Sequence, residues 1–549
     1  MSAALGPRYD RPLDNDDDNV LSEAAEGPAQ GVHSWLEILR RSSMFTLALL
    51  TLVVVLLFAD QNLLAPNLSA IAEEFGFNEE EKDRHLGGDI AVAFFGFGAP
   101  ASVLVGWLTD VIDRRKLFVA IVALGEMGTL ATVFVTTFSQ LFWTRAITGV
   151  AIGGGMPLVY SILGDLVSST GRTEASGLIG IAIGMGLGLG QVVAGFTGSS
   201  TSLGWRLPFL LMALPCFALA LLVLVATRDP ARGRLEAGLQ EHFRAGGEYN
   251  ERLNLNGLLM LAKSPTVLLV LAQGVPGTLP WGVITVFLPD YLHKQRGMSI
   301  KTATVVGMVF GAATVAGQVV GAKVGQNLYN RRPENQALLM GVSTAGTLPC
   351  VMMIRYSGGI FGVYALYAMA GGFLAAMTGP NIRSVMMNVT LPSTRGTAFG
   401  VFNVFDDLGK GLGPAMVSLV VASRGREDAF TLAILGWLAC GTMLLAMALT
   451  VHRDEQKVQC HLAEYGRHSS VDTDGGAPEP QASVGPTMLG RGVTAATKYA
   501  ALSDHITSAS TRAGTTSAQG GDAFSDGEME VELGVFGPDG DQPRRRLIV

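Results

Sequence analysis

Charge is scarce in this chain. Asp, Glu, Lys and Arg make up 15% of it, against roughly 25% in an ordinary soluble domain. Cysteine is scarcer, at four residues. Cys216, Cys350 and Cys440 lie in apolar runs and Cys460 in a polar one, with no spacing that resembles a disulfide framework or a metal site. No histidine falls deep in an apolar segment, so a buried proton carrier has to be a carboxylate. A phosphate loop and a nucleophile–base arrangement are both missing, which leaves an ATP-driven pump or an enzyme unsupported. Near the N-terminus, Asp14 and Asp16–Asp18 stand where a targeting segment would be basic. The net charge of −7 comes largely from the polar ends and the acidic stretch 73–83. It gives no reason to expect a nucleic-acid partner.

What the chain has is apolar length and glycine. Hydrophobic residues make up 49% and glycines number 69, a composition that suits closely packed membrane helices. A membrane helix needs roughly 20 mostly apolar residues. Twelve segments qualify: 44–72, 87–108, 116–137, 141–165, 174–199, 206–227, 266–292, 300–328, 336–355, 359–388, 396–422 and 429–451. The chain also repeats itself. Pro157 and Arg172 recur as Pro380 and Arg395, 223 residues on, and at that same offset Gly186, Gly188 and Gly190 fall on Gly409, Gly411 and Gly413. Gly96 and Gly106 fall on Gly311 and Gly321 at an offset of 215. Six helices followed by six matching ones point to two pseudo-symmetric bundles around a shared site, the arrangement of alternating access.

The expected organisation is a disordered cytosolic tail over 1–40, a six-helix bundle over 41–227, a basic cytosolic connector over 228–265, a second six-helix bundle over 266–452, and a disordered cytosolic tail over 453–549. An amphipathic helix around Leu253–Ala262 is expected in the connector, lying on the membrane surface. Basic residues put the connector and both termini on the cytosolic side, although Lys294, Arg296 and Lys301 fall on the other side. Trp107, Trp143 and Trp205 lie near predicted helix ends, where interfacial Trp is common.

Some of these residues resemble a known family. Gly106-Trp-Leu-Thr-Asp110-Val-Ile-Asp113-Arg114-Arg115-Lys116 resembles the loop signature of the major facilitator superfamily, and Arg145-Ala-Ile-Thr-Gly149 its fourth-helix motif. Asp60, Asp165, Trp205-Arg206-Leu-Pro208-Phe and Pro280-Trp281-Gly282 look more narrowly Spinster-like. The resemblance covers about 40–455. It implies a secondary transporter of sphingolipids or lysolipids, often proton-coupled. It also implies that Asp110 with Arg114 or Arg115 forms a latch with Asp165. The chain departs from that group at two places: Gln61 follows Asp60 where Arg is usual, and Ile152 stands where a Glu is common.

Charged residues in apolar segments are costly and usually face a cavity. Asp60 in the first segment suits a proton carrier, and Glu126 in the third could replace the carboxylate absent at Ile152. Arg145 has no counterpart in the second half, where Ala368 stands. It would pair with Asp60 or Glu126, or bind an anionic headgroup. In the eleventh segment Asp406, Asp407 and Lys410 interrupt the glycine scaffold, and either Asp shares a helical face with the Lys. Arg383 in the tenth is a further candidate for substrate contact. Gly106, Asp110, Arg114, Arg115 and Asp165 form a mechanical set, and Arg172 and Arg395 occupy equivalent loops of both halves. The resulting expectation is an all-α, twelve-helix membrane transporter, monomeric, without cofactor or metal. It would move an amphipathic organic molecule such as a lysolipid or sphingolipid with protons. Rival readings are a small organic anion or sugar as cargo, or a non-transporting receptor or scaffold.

Overall fold

The structure is a computed structural model that describes residues 42–78, 81–198 and 203–473. The predicted tail 1–40 and the part of the second tail beyond 473 lie outside the described residues.

The first half contains α1 (Ser43–Gln61), α2 (Ile90–Val111), α3 (Arg114–Ala131), α4 (Phe138–Leu166), α5 (Arg172–Thr197) and α6 (Leu207–Ala226). The second contains α7 (Pro265–Arg296), α8 (Ile300–Tyr329), α9 (Pro333–Arg355) and α10 (Phe361–Asn388). Next comes one helical run, Arg395–Ile434, broken at Gly425, whose φ of 78° and ψ of 169° leave helical geometry. The part before the break is α11. The part after it, continued by Gly436–Met447, is α12. Among the described residues eleven helices are long and apolar enough to cross a membrane. The exception is α11, whose middle carries Asp406, Asp407 and Lys410.

Local sequence explains the helix starts. Ser42, Asp113, Ser264 and Ser299 each accept a hydrogen bond from a backbone N–H in the first turn of α1, α3, α7 and α8. Thr137 and Gln140 form a reciprocal capping box on α4. Pro265 and Pro333 sit at helix starts, where the missing N–H costs nothing.

The repeated glycines do the same job twice. A side chain at Gly186 or Gly190 would collide with the α1 backbone at Val55 and Ala59. One at Gly409 or Gly413 would collide with α7 at Val275 and Leu279. Their companions Gly188 and Gly411 both face open space. Sequence symmetry here is packing symmetry, α5 against α1 and α11 against α7.

The connector holds the predicted amphipathic helix as Leu255–Lys263, with Leu255 and Leu259 exposed. The helix Val451–Thr473, here α13, corrects the expectation of a disordered tail from 453. Val458 and Leu462 on α13 bury against Leu239, Tyr249 and Leu391, a small core that polar composition hid. Trp205 stands just before the start of α6, near a helix end as expected, and is buried, with its Nε1 donating to Glu74 at 2.7 Å. Two of the three dissenting cations are paired with acids, Lys294 with Asp290 at 2.8 Å and Arg296 with Glu427 at 2.7 Å.

Candidate functional site

Buried and half-buried charge gathers in three groups. The first is inside the first bundle. Asp60 from α1, Glu126 from α3 and Arg145 from α4 are 1%, 0% and 2% exposed. Asp60 Oδ2 accepts from Thr129 at 2.9 Å, and Arg145 donates to Thr132 at 2.7 Å. The Arg145 guanidinium also lies 4.9 Å from the centre of the Phe209 ring. Glu126 adjoins Asp60, Arg145 and Cys216. Asp60 Oδ1, both Glu126 carboxyl oxygens and Arg145 Nε have no hydrogen-bond partner among the described residues. Of the two predicted pairings of Arg145, neither is a direct salt bridge. Its charge serves both carboxyls at once while a threonine holds it in place. Buried polar atoms are nearly always bonded, and here the two carboxyls adjoin each other and Glu126 adjoins Cys216, so a proton shared between the carboxyls fills valences that an ionised pair leaves open.

The second group faces the space between the halves. Lys410 Nζ donates to Asp407 at 3.1 Å, with the two side chains 45% and 22% exposed. Asp406 is buried, and its carbonyl accepts from Thr278 at 2.7 Å. Arg383 from α10 reaches across the molecule to place its guanidinium 5.6 Å from the Tyr160 ring centre. Tyr160 stacks on Phe399 of α11, and its hydroxyl is buried without a partner. Asp406 and Lys410 lie within charge range of Arg383, beside the aromatic pair Tyr160 and Phe399 contributed by both halves.

The third group closes the end from which the connector leaves. Asp165 accepts from Arg114 at 2.5 Å and from Arg395 at 3.1 Å. Glu236 of the connector accepts from Arg172 at 2.5 Å and Arg395 at 2.7 Å through one oxygen, Oε1. Its other oxygen accepts from Gln459 of α13 at 2.8 Å. Asp229 accepts from Arg114 at 3.0 Å. Three buried arginines thus face three carboxylates. Outside the membrane spans, burial alone would raise the Glu236 carboxyl, but Arg172 and Arg395 outweigh it and hold it down to about 2.

Of the expected latch, Arg114 meets Asp165, while Asp110 is engaged elsewhere. It pairs with neither Arg114 nor Arg115. Its carboxylate accepts from the backbone N–H groups of Gly396 at 2.9 Å and Thr397 at 2.7 Å, at the start of α11. Four N–H groups at a helix start lack intrahelical partners, and the helix dipole favours an anion there. One turn back, Gly106 lies so close to Gly396 that a Cβ would stand 2.6 Å from its carbonyl oxygen. Arg115 donates to the Thr227 carbonyl at 2.7 Å and ties α3 to the end of α6.

The hydrogen bonds joining the halves gather at this end. They include Ser102 to Gly400, Arg172 to Asn388, and Thr173 with Gln326 and Ser384. Glu236, Asp229 and Gln459 are the functional residues that sequence reasoning missed. The available signal was a mismatch: symmetric Arg172 and Arg395 need acids, and the basic connector contains Asp229 and Glu236.

The sequence profile of the Major Facilitator Superfamily matches residues 50–414. The chain is 27% identical over 184 residues to citrate exporter 1 of Yarrowia lipolytica, a match covering 33% of this chain and 26% of that protein's length. It is 25% identical over 387 residues to protein spinster homolog 3 of Mus musculus, covering 64% of this chain and 74% of the relative. The crystal structure of the human organic anion transporter MFSD10 superposes with a TM-score of 0.54 at 18% identity, covering 73% of this chain and 99% of that one. That superposition speaks for the fold, and the Spinster match agrees with the motifs read from the residues. With a profile spanning most of its length and two matching six-helix bundles, the chain belongs to the Major Facilitator Superfamily.

Proposed function

We propose that this protein is a secondary transporter working by alternating access, with proton coupling at Asp60 and Glu126 and an amphipathic organic molecule as cargo, such as a lysolipid or sphingolipid. The observation that carries the reading is the buried group in the first bundle. Two carboxyls share one guanidinium there, so one added proton makes the group neutral. Buried unpaired charge is expensive, and a scaffold or receptor has no use for it. Closure of the connector end, with Arg383, Asp406, Asp407 and Lys410 set between the halves, supports a state that loads cargo from the opposite side.

The site between the halves offers a cation and an anion beside an aromatic wall. That suits a headgroup bearing both charges, with the apolar portion lying along the helices. Arg383 also supports a second reading, in which a small organic anion or a sugar is carried. The reading further places the basic connector and both termini in the cytosol, requires no cofactor, and takes the working unit as a monomer.

The test is substrate-induced proton flux in proteoliposomes, offering lysolipids, sphingoid bases, sugars and organic acids, with Asp60→Asn beside the native protein. Flux with one class that vanishes in the variant supports both cargo and coupling. Flux that persists unchanged in Asp60→Asn would remove that residue from the coupling step. Silence with every class would favour the receptor reading.

A further inference from the structure

The helix α13 is not explained by transport alone, yet it is fastened to most of what must move. Asp454 accepts from the Thr266 backbone N–H and the Ser264 hydroxyl at 3.0 Å each, at the start of α7. Glu455 accepts from the Tyr329 hydroxyl at the end of α8. Gln459 donates to Glu236 and accepts from the Gly238 backbone N–H at 2.9 Å. Further along, the Tyr465 hydroxyl accepts from the Asn250 backbone N–H at 3.0 Å. One helix therefore ties α7, α8 and the connector to the same carboxylate that joins Arg172 and Arg395.

Within this fastening Glu455 stands out. Its Oε2 is buried and has no hydrogen-bond partner. The charged and titratable groups that act on it come from four other elements: Arg172 of α5, Glu236 of the connector, Glu334 at the start of α9, and the Tyr329 hydroxyl of α8. On α13 itself, Asp454 is already satisfied by Lys457 at 2.7 Å. Two acids and one shared arginine leave the Glu455 carboxylate poorly compensated.

We propose that α13 is a strap holding the connector-side mouth shut, and that proton binding at Glu455 sets how firmly it is docked. Burial, with Glu236 and Glu334 adding to it, pushes the Glu455 carboxyl up to about 7, against the opposing pull of Tyr329 and Arg172. The docked helix therefore binds a proton that the undocked helix releases. Docking is firmest below the ordinary value of 4.5 and loosens as pH rises through about 7. Acid on the connector side holds the mouth closed; neutral to alkaline conditions free it. The strap rests on the alternating-access reading only for its consequence, since docking itself is measurable without any cargo.

The experiment is hydrogen exchange of the amides of α13 in the full-length protein at pH 5 and pH 8, corrected for the intrinsic pH dependence of exchange. Wild type should lose protection by roughly ten-fold or more between the two. Glu455→Gln, which mimics the protonated group, should stay protected at both. Tyr329→Phe removes the donor that favours the carboxylate and should move the loosening to higher pH. A strap equally protected at both pH values in wild type, or an unchanged pH dependence in Glu455→Gln, would overturn the proposal. A failed flux assay with intact exchange behaviour would instead count against the transport reading alone.

Discussion

Asp165 and Arg395 meet at 3.1 Å across the boundary between the halves, each about as far from solvent as a side chain can be. Asp165 ends α4 and Arg395 begins α11, so the pair spans the seam that must part when the connector end opens. Each is also held elsewhere, Asp165 by Arg114 and Arg395 by Glu236. Closure here is a chain of shared ions.

Removing one partner from such a buried set is expected to be severe, about 3–5 kcal/mol, because the other partner is left charged and unpaired. Glu236→Gln leaves Arg172 without a carboxylate partner and Arg395 with Asp165 alone. It should shift the molecule strongly toward an open connector end. Spin labels at Lys116→Cys and Arg331→Cys, both exposed at that end, should report a longer distance. An unchanged distance would mean that Glu236 does not hold the mouth.

Glu236 also fixes a pH expectation. Its carboxyl is held at about 2 against an ordinary 4.5, so its contribution is complete above about 4.5 and is lost only as pH falls through about 2. Between pH 5 and 8 the Glu236 contribution is flat. In Glu455→Gln, where the other titrating group is silenced, the same label distance should not move across that range.

Gly106→Val tests closure by shape, without touching a charge. The added carbons meet the Gly396 carbonyl and the Gly400 Cα, neither of which can swing aside. Overpacking of this kind costs about 1–3 kcal/mol. The label pair should show the open form enriched about 5- to 150-fold relative to wild type, while thermal melting of the separate bundles changes little.

Asp407 and Lys410 are partly exposed and three residues apart on one helix, an arrangement worth less than about 1 kcal/mol to stability. The double variant Asp407→Asn with Lys410→Gln should therefore melt within a few degrees of wild type. Cargo binding, followed by labelled-substrate titration, should weaken at least ten-fold. Retained affinity would move the cargo site elsewhere.

Asp60→Asn and Glu126→Gln should each leave the protein folded, because the amide is the same size as the carboxyl and Arg145 still faces the one remaining carboxylate. Each should abolish the pH dependence of uptake in vesicles. Persistence of that dependence in one variant would assign the proton to the other carboxyl.

The twelve segments, the repeat and the charged positions could all be read from residues, because apolar length, glycine spacing and misplaced charge are local signals. Partners could not. Arg145 was expected to grip a carboxylate and instead donates to Thr132, a hydroxyl one turn along α3's continuation that no spacing rule singles out. Asp110, expected in a latch with Arg114 or Arg115 and Asp165, meets the start of a helix 286 residues away, while of those two arginines only Arg114 reaches Asp165. The helix α13 was hidden for another reason. Its large buried apolar side chains are Val451, Val458 and Leu462, too narrow a stripe to stand out from a polar stretch until the connector supplies the other wall.

Glu236 has one oxygen for two arginines. While the halves are together, Oε1 serves Arg172 and Arg395 at once. Once they part, it can follow only one of them, and the other guanidinium must be met by water. Opening the connector end is then a wetting event as well as a rotation. Its speed should depend on how readily water reaches a dry crevice, and crowding or osmotic agents that lower water activity should slow it even where they leave the folded protein untouched.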